Sequence, residues 1–338
     1  MAISSGVGPH FAIAVVNGVQ FPIEKGSTHR TATKKSGTFS ATIPLYYPGA
    51  RSLVTIGDNQ TSIIVSTRGQ VATLLSGEID DVEPDYINGT LEISGRDGSA
   101  KLHDQKTAEK WVNKQPGDII QDLASRVGLG VNISQPLQLK MQRLMKDDYT
   151  KITDNISYGM TIHKICELMQ AHWFIKDGTL NIVSGQASGG GYSINLTVGP
   201  DNEISCDALS LKIKRNVQAG KPINVTVKSW HTRDAKTYQG QNQVGGNGTT
   251  KNYVYHLPNL TQDHVDQHAK AKSKDHKRHE ITVTAECVGD PSIDISQGLT
   301  LSGTDLDGTY TIDGIEDSFG MDGHTMTINA KGPLGGAS

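Results

Sequence analysis

The feature that most constrains this chain is alternation of apolar and polar residues in short runs, cut repeatedly by Gly, Asn and Asp. Residues 306–332, LDGTYTIDGIEDSFGMDGHTMTINAKG, alternate on both sides of a Met-Asp-Gly turn. Alternation with a period of two places one set of side chains on each face of a strand, so this segment reads as a hairpin. FAIAVVNGVQFPIEKG, from Phe11, repeats the pattern around Asn17-Gly18, a dipeptide suited to a two-residue hairpin turn. TFSATIPLYY (38–47), SLVTIGDNQTSIIVSTRG (52–69) and QVATLLSGEIDDVEPDYINGTLEISGRDG (70–98) continue as short β-branched runs between turns. Leu91 and Ile93 share one face of TLEISG, and Arg96-Asp97-Gly98 ends that strand. With 37 Gly and only 5 Phe in 338 residues, the chain favours strands and tight turns over long helices. The class is mainly β, with the first 107 residues expected to form a small barrel or sandwich.

The period changes after about residue 107. PGDIIQDLASRVGLG sets Ile119, Ile120, Leu123 and Val127 at helical spacing, opened by Pro116 and stopped by Gly128. TIHKICELMQAHWFIKDGTLNIVSG predicts a second helix through Ile162, Ile165, Leu168 and Met169, then a hairpin turning at Asp177-Gly178. Residues 108–185 are therefore expected to be a helix-helix-hairpin α/β unit. GQASGGG (185–191) reads as a flexible joint, and 186–201 as linker and connecting strand. From 202 to 338 the expectation is a second barrel-like unit. Its strands are ALSLKIKR (208–215), PINVTVKSWH (222–231), EITVTAE, SQGLTLSG, GTYTIDGIEDSF and HTMTINAKG; one helix covers about 261–279 from a Thr261 cap, and 240–252 is a long mobile surface loop.

A net charge of −3 gives no basic footprint for tight sequence-independent DNA binding. Three cysteines, Cys166, Cys206 and Cys287, are too few and scattered for a disulfide framework or a four-Cys zinc site, which fits a reducing cytoplasm. No signal peptide is expected from the N-terminal residues, and no apolar run approaches the ~20 residues of a membrane span.

Searches for chemistry return turn and surface features. Glu78, Asp80, Asp81, Glu83 and Asp85 are spread over both faces of a strand, which suits a solvated edge that discourages aggregation better than a catalytic acid pair. Asp305-Leu306-Asp307-Gly308 begins like a calcium loop but runs straight into a strand, so turn chemistry is favoured. His264 and His268 share one face of the predicted helix at a spacing that can hold zinc, yet no His-Glu-x-x-His motif is present. With Lys270, Lys272 and Lys274, these histidines are instead candidates for contact with an acidic partner. Phosphate-cradling and dinucleotide-binding glycine motifs and a Gly-x-Ser-x-Gly elbow are absent, and Cys166 reads as a core thiol. No catalytic, metal-binding or cofactor-binding residue is expected, and no cofactor.

GTLEISGRDGSAKLHDQKT (89–107) followed by WVNKQPGDIIQDLASRVGLGV (111–131) resembles the baseplate hub proteins of contractile phage tails, the late control protein D family. The matching positions are Gly95, Arg96, Leu102, Asp104, Ile119, Ile120, Leu123, Ala124 and Gly128, with Gly298, Gly303, Gly308 and Tyr310 in the C-terminal part. The resemblance implies two tube-like β-barrels flanking an α/β part, and three chains forming a ring of sixfold pseudosymmetry. It implies a non-enzymatic protein, made in the host cytoplasm and residing in the virion baseplate. Its partners would be itself as a homotrimer, the hexameric tail tube protein, the trimeric central spike and other baseplate proteins, with DNA only in transit through the lumen. Rival readings are a distal tail protein of a noncontractile tail, and a carbohydrate-binding or hydrolytic protein of the cell envelope; the latter has little aromatic platform to draw on, with only Trp111, Trp173 and Trp230.

Overall fold

A computed structural model describes residues 10–32, 35–57, 59–111, 114–134, 150–151, 155–169, 171–184, 191–231, 235–257, 260–295 and 297–334. The expected joint at 185–191 lies outside them except for Gly191.

The opening hairpin forms as read: β1 (Phe11–Val16) and β2 (Val19–Pro22) turn at Asn17 and Gly18, whose φ angles are 48° and 83°. Both central residues lie in the left-handed region, where Asn and Gly are tolerated at least cost. The chain bends at Ile23-Glu24 into β3 (Lys25–Thr31), which pairs with β4 (Thr38–Pro44). The bend keeps bonding on both sides: Ile23 N–H donates to the Ala12 carbonyl and Glu24 N–H to that of Thr42. β5 (Thr61–Thr67), β6 (Gln70–Asp85) and β7 (Thr90–Asp97) complete this unit. Pairing runs β3-β4-β7-β6-β5-β1-β2, antiparallel throughout. Ala14, Phe21, Ile43, Ile63, Leu91 and Ile93 fill the core between its faces. Two local readings are corrected. Residues 52–55 belong to a 3-10 turn (Ala50–Thr55), and 70–85 form one long strand with a bulge between Ile79 and Asp81.

Among the described residues the middle part holds three helices. α1 (Ser99–Asp104) is short and was unforeseen, whereas α2 (Pro116–Ser125) and α3 (Tyr158–Met169) follow the apolar spacing. They pack through Leu102, Ile119, Ile120, Leu123, Ile162 and Cys166 onto β13 (Ala171–Lys176) and β14 (Thr179–Ser184), the predicted hairpin. β10 (Gly130–Ile133) joins β14 in parallel. Short pairs link β8 (Lys106–Thr107) to β12 (Ile156–Ser157) and β9 (Lys110–Trp111) to β11 (Thr150–Lys151).

The last part repeats the first. β15 (Gly191–Val198) pairs with β16 (Ile204–Cys206), and the chain then bends into β17 (Ser210–Arg215). Here too the bend stays bonded on both sides, Asp207 N–H to the Asn195 carbonyl and Leu209 N–H to that of Glu286. β21 (Ile281–Val288), β22 (Gly298–Ser302), β23 (Gly308–Gly320) and β24 (Gly323–Gly332) follow. Pairing runs β17-β21-β24-β23-β22-β15-β16, strand for strand the order of the first unit. One pair departs: β15 runs parallel to β22, whereas β1 runs antiparallel to β5.

The two β units are not separate sheets. β3 pairs with the second half of β23, Thr31 opposite Gly314 through Lys25 opposite Gly320, which unites them in one 14-stranded sheet. The fold is thus mainly β with mixed sheets and a central helical part.

Between β17 and β21 the second unit carries an insertion with its own small core. β18 (Ile223–His231), β19 (Lys236–Val244) and β20 (Lys251–His256) form a three-stranded sheet covered by α4 (Gln262–Arg278) through Val225, Val227, Val265 and Ala269. The long loop expected at 240–252 is corrected by these strands. Residues 240–244 belong to β19 and 251–252 to β20, so only 245–250 connect them. The polar residues there misled because one face of this sheet is exposed: Asn224, Gln241 and Asn252 bond to one another on it.

Candidate functional site

The repeat extends to residue detail at two β-bulges. A bulge places two residues opposite one and re-aims a side chain. In β6 the register against β7 shifts between Ile79 and Asp81, and in β23 that against β24 shifts between Ile312 and Gly314. Counting from these shifts, Ile79-Asp80-Asp81-Val82-Glu83 corresponds to Ile312-Asp313-Gly314-Ile315-Glu316. Thr38-Phe39-Ser40-Ala41 corresponds to Thr282-Val283-Thr284-Ala285, and Arg96 to Lys331.

Each bulge aspartate reaches the corresponding base on the next strand. Asp80 accepts two bonds from Arg96, at 2.7 Å to Nε and 3.0 Å to Nη2, and Asp313 accepts one from Lys331 Nζ at 2.6 Å. Each then ties its unit to an element outside the sheet. Arg96 also binds Asp104 of α1 at 3.1 and 3.2 Å, while Asp313 pairs with Arg278 of α4, whose Nη1 is 3.0 Å from His172 Nε2 on β13. The hydrogen bonds that Arg96 donates to Asp80 and Asp104 hold its guanidinium firmly protonated. Burial disfavours the Asp313 charge, yet Arg278 and Lys331 outweigh it and keep the carboxyl below its ordinary range.

A third cluster sits where β3 meets β23. Asp317 is fully buried and accepts from Arg30 Nη2 (3.0 Å), Arg30 Nε (3.2 Å) and Thr28 Oγ1 (2.9 Å). His324 Nε2 lies 3.0 Å from its other oxygen, and His324 Nδ1 is 3.0 Å from Thr67 Oγ1. Arg30 Nη1 also donates to the Ile293 carbonyl at 2.9 Å. Burial works against the Asp317 carboxylate, but Arg30 and the His324 and Thr28 hydrogen bonds prevail and hold it below the ordinary range. Arg30 and Asp294 also line a 240 Å³ cavity with Leu75, Asp97 and Lys176, at the meeting of both β units with the hairpin β13–β14.

The positions singled out from sequence fall mostly into structural places. A Cβ on Gly95 would lie 2.0 Å from the Glu78 carbonyl oxygen and 2.8 Å from the Phe39 ring. Gly303, at φ 82°, leaves a Cβ only 1.8 Å from the Leu196 carbonyl oxygen, and Gly128, at φ 75°, follows α2. Leu102 is the fully buried residue of α1, Gly308 opens β23, and the buried Tyr310 donates its hydroxyl to the Leu306 carbonyl at 2.7 Å. Asp307 accepts from Gly303 and Thr304 N–H, at 3.1 and 2.7 Å, so the calcium-like stretch is a turn.

The five partner-contact candidates of α4 differ in exposure. His268 is 3% exposed against the three-stranded sheet and has no surface to offer. His264 bonds to Thr261, and Lys272 pairs with Glu167 of α3 over the Tyr255 ring. Lys270 and Lys274 face solvent. No group of three or more His, Cys, Asp or Glu side chains among the described residues is placed to hold a metal. Cys166 is buried and its thiol is pushed up by burial, as a core residue requires. Trp111 and Trp173 are buried, and Trp230 is exposed on the open face of β18.

Sequence reading missed Arg30, Arg278, Asp313, Asp317 and His324. The signal was present in the paired stretches IDDVE and IDGIE, about 230 residues apart.

Two histidines make stability depend on pH. Burial, followed by the Arg278 charge, lowers His172 to about 4, against opposing pull from Asp313 and Asp275 and a further push from His163. Burial, then His264 and Lys272, lowers His268 to about 4, with Glu167 opposing. The unfolded chain binds these protons first, near pH 6.5. Their contribution is therefore complete above that pH and is lost as pH falls toward 4. A loss of ~2 kcal/mol for each histidine, ~4–5 kcal/mol together, is expected between pH 7 and 4.5 in denaturant unfolding, with about half of it absent in His268→Gln.

No protein-family model matches the chain, and no curated protein sequence does. Solved structures do. A 43 kDa tail protein of prophage MuSo2 from Shewanella oneidensis superposes with TM-score 0.71 at 15% identity, over 95% of this chain and 98% of that one. A tail protein from Neisseria meningitidis gives 0.72 at 15%, over 98% and 100%. An Escherichia coli component of the type VI secretion system, described as structurally similar to the T4 phage tail proteins gp27 and gp5, gives 0.59 at 9%, over 94% and 76%. Over at least 95% of its length this chain has the fold of the Shewanella and Neisseria tail proteins.

Proposed function

We propose that the chain is the structural hub of a contractile phage tail or related injection device, of the late control protein D type. Three copies form a ring of six similar units that joins the hexameric tail tube to the trimeric spike and leaves a channel for DNA. The observation that carries this reading is the internal repeat: one strand order, one bulge and one bulge ion pair occur twice in each chain. A threefold ring of such chains presents one near-equivalent surface six times and a chain-specific surface three times, which is what a sixfold-to-threefold joint needs. Each unit is a tube-like barrel closed by its bent strand, β2 into β3 and β16 into β17, within domains bounded at about 1–107, 108–185 and 191–338, the last beginning with β15 and not at 202. Fit to the type VI secretion component, described as similar to the T4 tail proteins gp27 and gp5, adds support.

The test is sedimentation of the purified chain together with negative-stain averages viewed down the symmetry axis. A three-chain ring with six lobes and a central hole is expected. A dimer, or a trimer with three unlike lobes and no hole, would overturn the reading.

A further inference from the structure

The repeat leaves two strand edges without their counterparts. In the first unit β3 is paired on both sides, by β4 and by the second half of β23. Its equivalent, β17, is paired by β21 alone among the described residues. Likewise the second half of β23 is paired by β24 and β3, while the second half of β6, beyond Gly77, is paired only by β7 among the described residues. One chain therefore contains the contact between its own two units and, among the described residues, carries each half of the same contact unpaired at its two ends.

We propose that β17 of one chain pairs antiparallel with residues 81–86 of β6 and its following turn in a second copy, in the register that β3 adopts on β23. This rests on the ring reading above and names the edges that close it. Ile315 faces Arg30, Glu316 faces His29, Asp317 faces Thr28 and Ser318 faces Ser27 within the chain. Equivalence through β4 and β21 matches Ser27-Thr28-His29-Arg30 to Lys212-Ile213-Lys214-Arg215. Glu83 thus meets Lys214 of the second copy, and Asp85 meets Lys212.

Charge supports the match. Asp81 and Glu83 are exposed and Asp85 half-buried on one edge, and Lys212, Lys214 and Arg215 are exposed on the other. Inside the chain the pair corresponding to Glu83 and Lys214 already exists: His29 Nδ1 is 3.5 Å from Glu316 Oε1. Apolar side chains are exposed beside both edges, with Tyr86 and Ile87 at 59% and 96%, and Leu209 and Val217 at 63% and 64%. Pro84 stands where Asp317 stands in β23, so this ladder has one donor fewer than the internal one. The contact is head-to-tail, and such a contact closes into a ring when its rotation divides a full turn.

The test uses two full-length proteins in a Cys206→Ser background, one Glu83→Cys and the other Lys214→Cys. Directly opposed strand residues have Cα atoms within disulfide range. Mild oxidation of the mixture should yield a linked dimer that neither protein gives alone, whereas Glu83→Cys with Ile213→Cys, one residue out of register, should not link. In the wild-type background Glu83→Lys should weaken self-association about tenfold, and Lys214→Glu in the same chain should restore it. Trimers that form without the cross-link and ignore the charge change would overturn the edge assignment and leave the ring reading standing. A chain that stays monomeric at every concentration, with no cross-link, would overturn both and return the acidic, proline-bearing edge to a device against aggregation.

Discussion

Asp317→Ala is expected to cost about 3–5 kcal/mol, because it strands Arg30 and His324 in a buried site without their shared acceptor. Asp317 is 1% exposed and Arg30 9%, so water cannot replace the lost partner. The cluster sits on the pairing of β3 with β23, and the damage should be local before it is global. Hydrogen exchange should accelerate first in those two strands, opening the seam between the β units. The double change Arg30→Met with Asp317→Leu removes both charges and should cost clearly less than the two single losses added together. A loss below 1 kcal/mol in Asp317→Ala, by denaturant unfolding, would mean that the buried pair does not hold the seam. Acid should act in the same direction: the Asp317 carboxyl is held below its ordinary range, so its contribution is present above about pH 4 and is lost as pH falls through the folded value.

Gly95→Ala should be nearly as severe, about 3 kcal/mol, although it adds one methyl group. That methyl would lie 2.0 Å from a backbone oxygen across the β6 bulge and 2.8 Å from the Phe39 ring, so the strand pair must shift to admit it. The corresponding residue in the second unit, Ala330, already has a Cβ, and faces Val283 where Gly95 faces Phe39. Gly95 is therefore set by its own unit's packing and is not demanded by the strand order the two units share. Unfolding midpoints of Gly95→Ala and of Ala330→Gly test this. A drop below 1 kcal/mol for the first would show that the β6 bulge yields easily.

Much of the local structure was legible because short-range chemistry decides it. Asn17-Gly18 set the first turn, Pro116 opened α2, and the alternation of 308–332 formed the last hairpin. The 245–250 connection and the long β6 were read less well. A polar strand with an open face has little apolar alternation to show, and a bulge breaks the period that marks a continuous strand. Likewise His264 and His268 could be placed on one helix face, but only the packing of α4 on β18 and β19 buried His268.

By itself the sequence determined the mainly β class, the helical middle, the hairpins and the core alternation, since each follows from residues a few positions apart. Tertiary structure alone decided that the first and last parts share one sheet, that Arg30 meets Asp317 across 287 positions, and that two strand edges stay open among the described residues. Those are long-range pairings, and strand periodicity specifies which face a side chain takes without specifying which strand lies beside it.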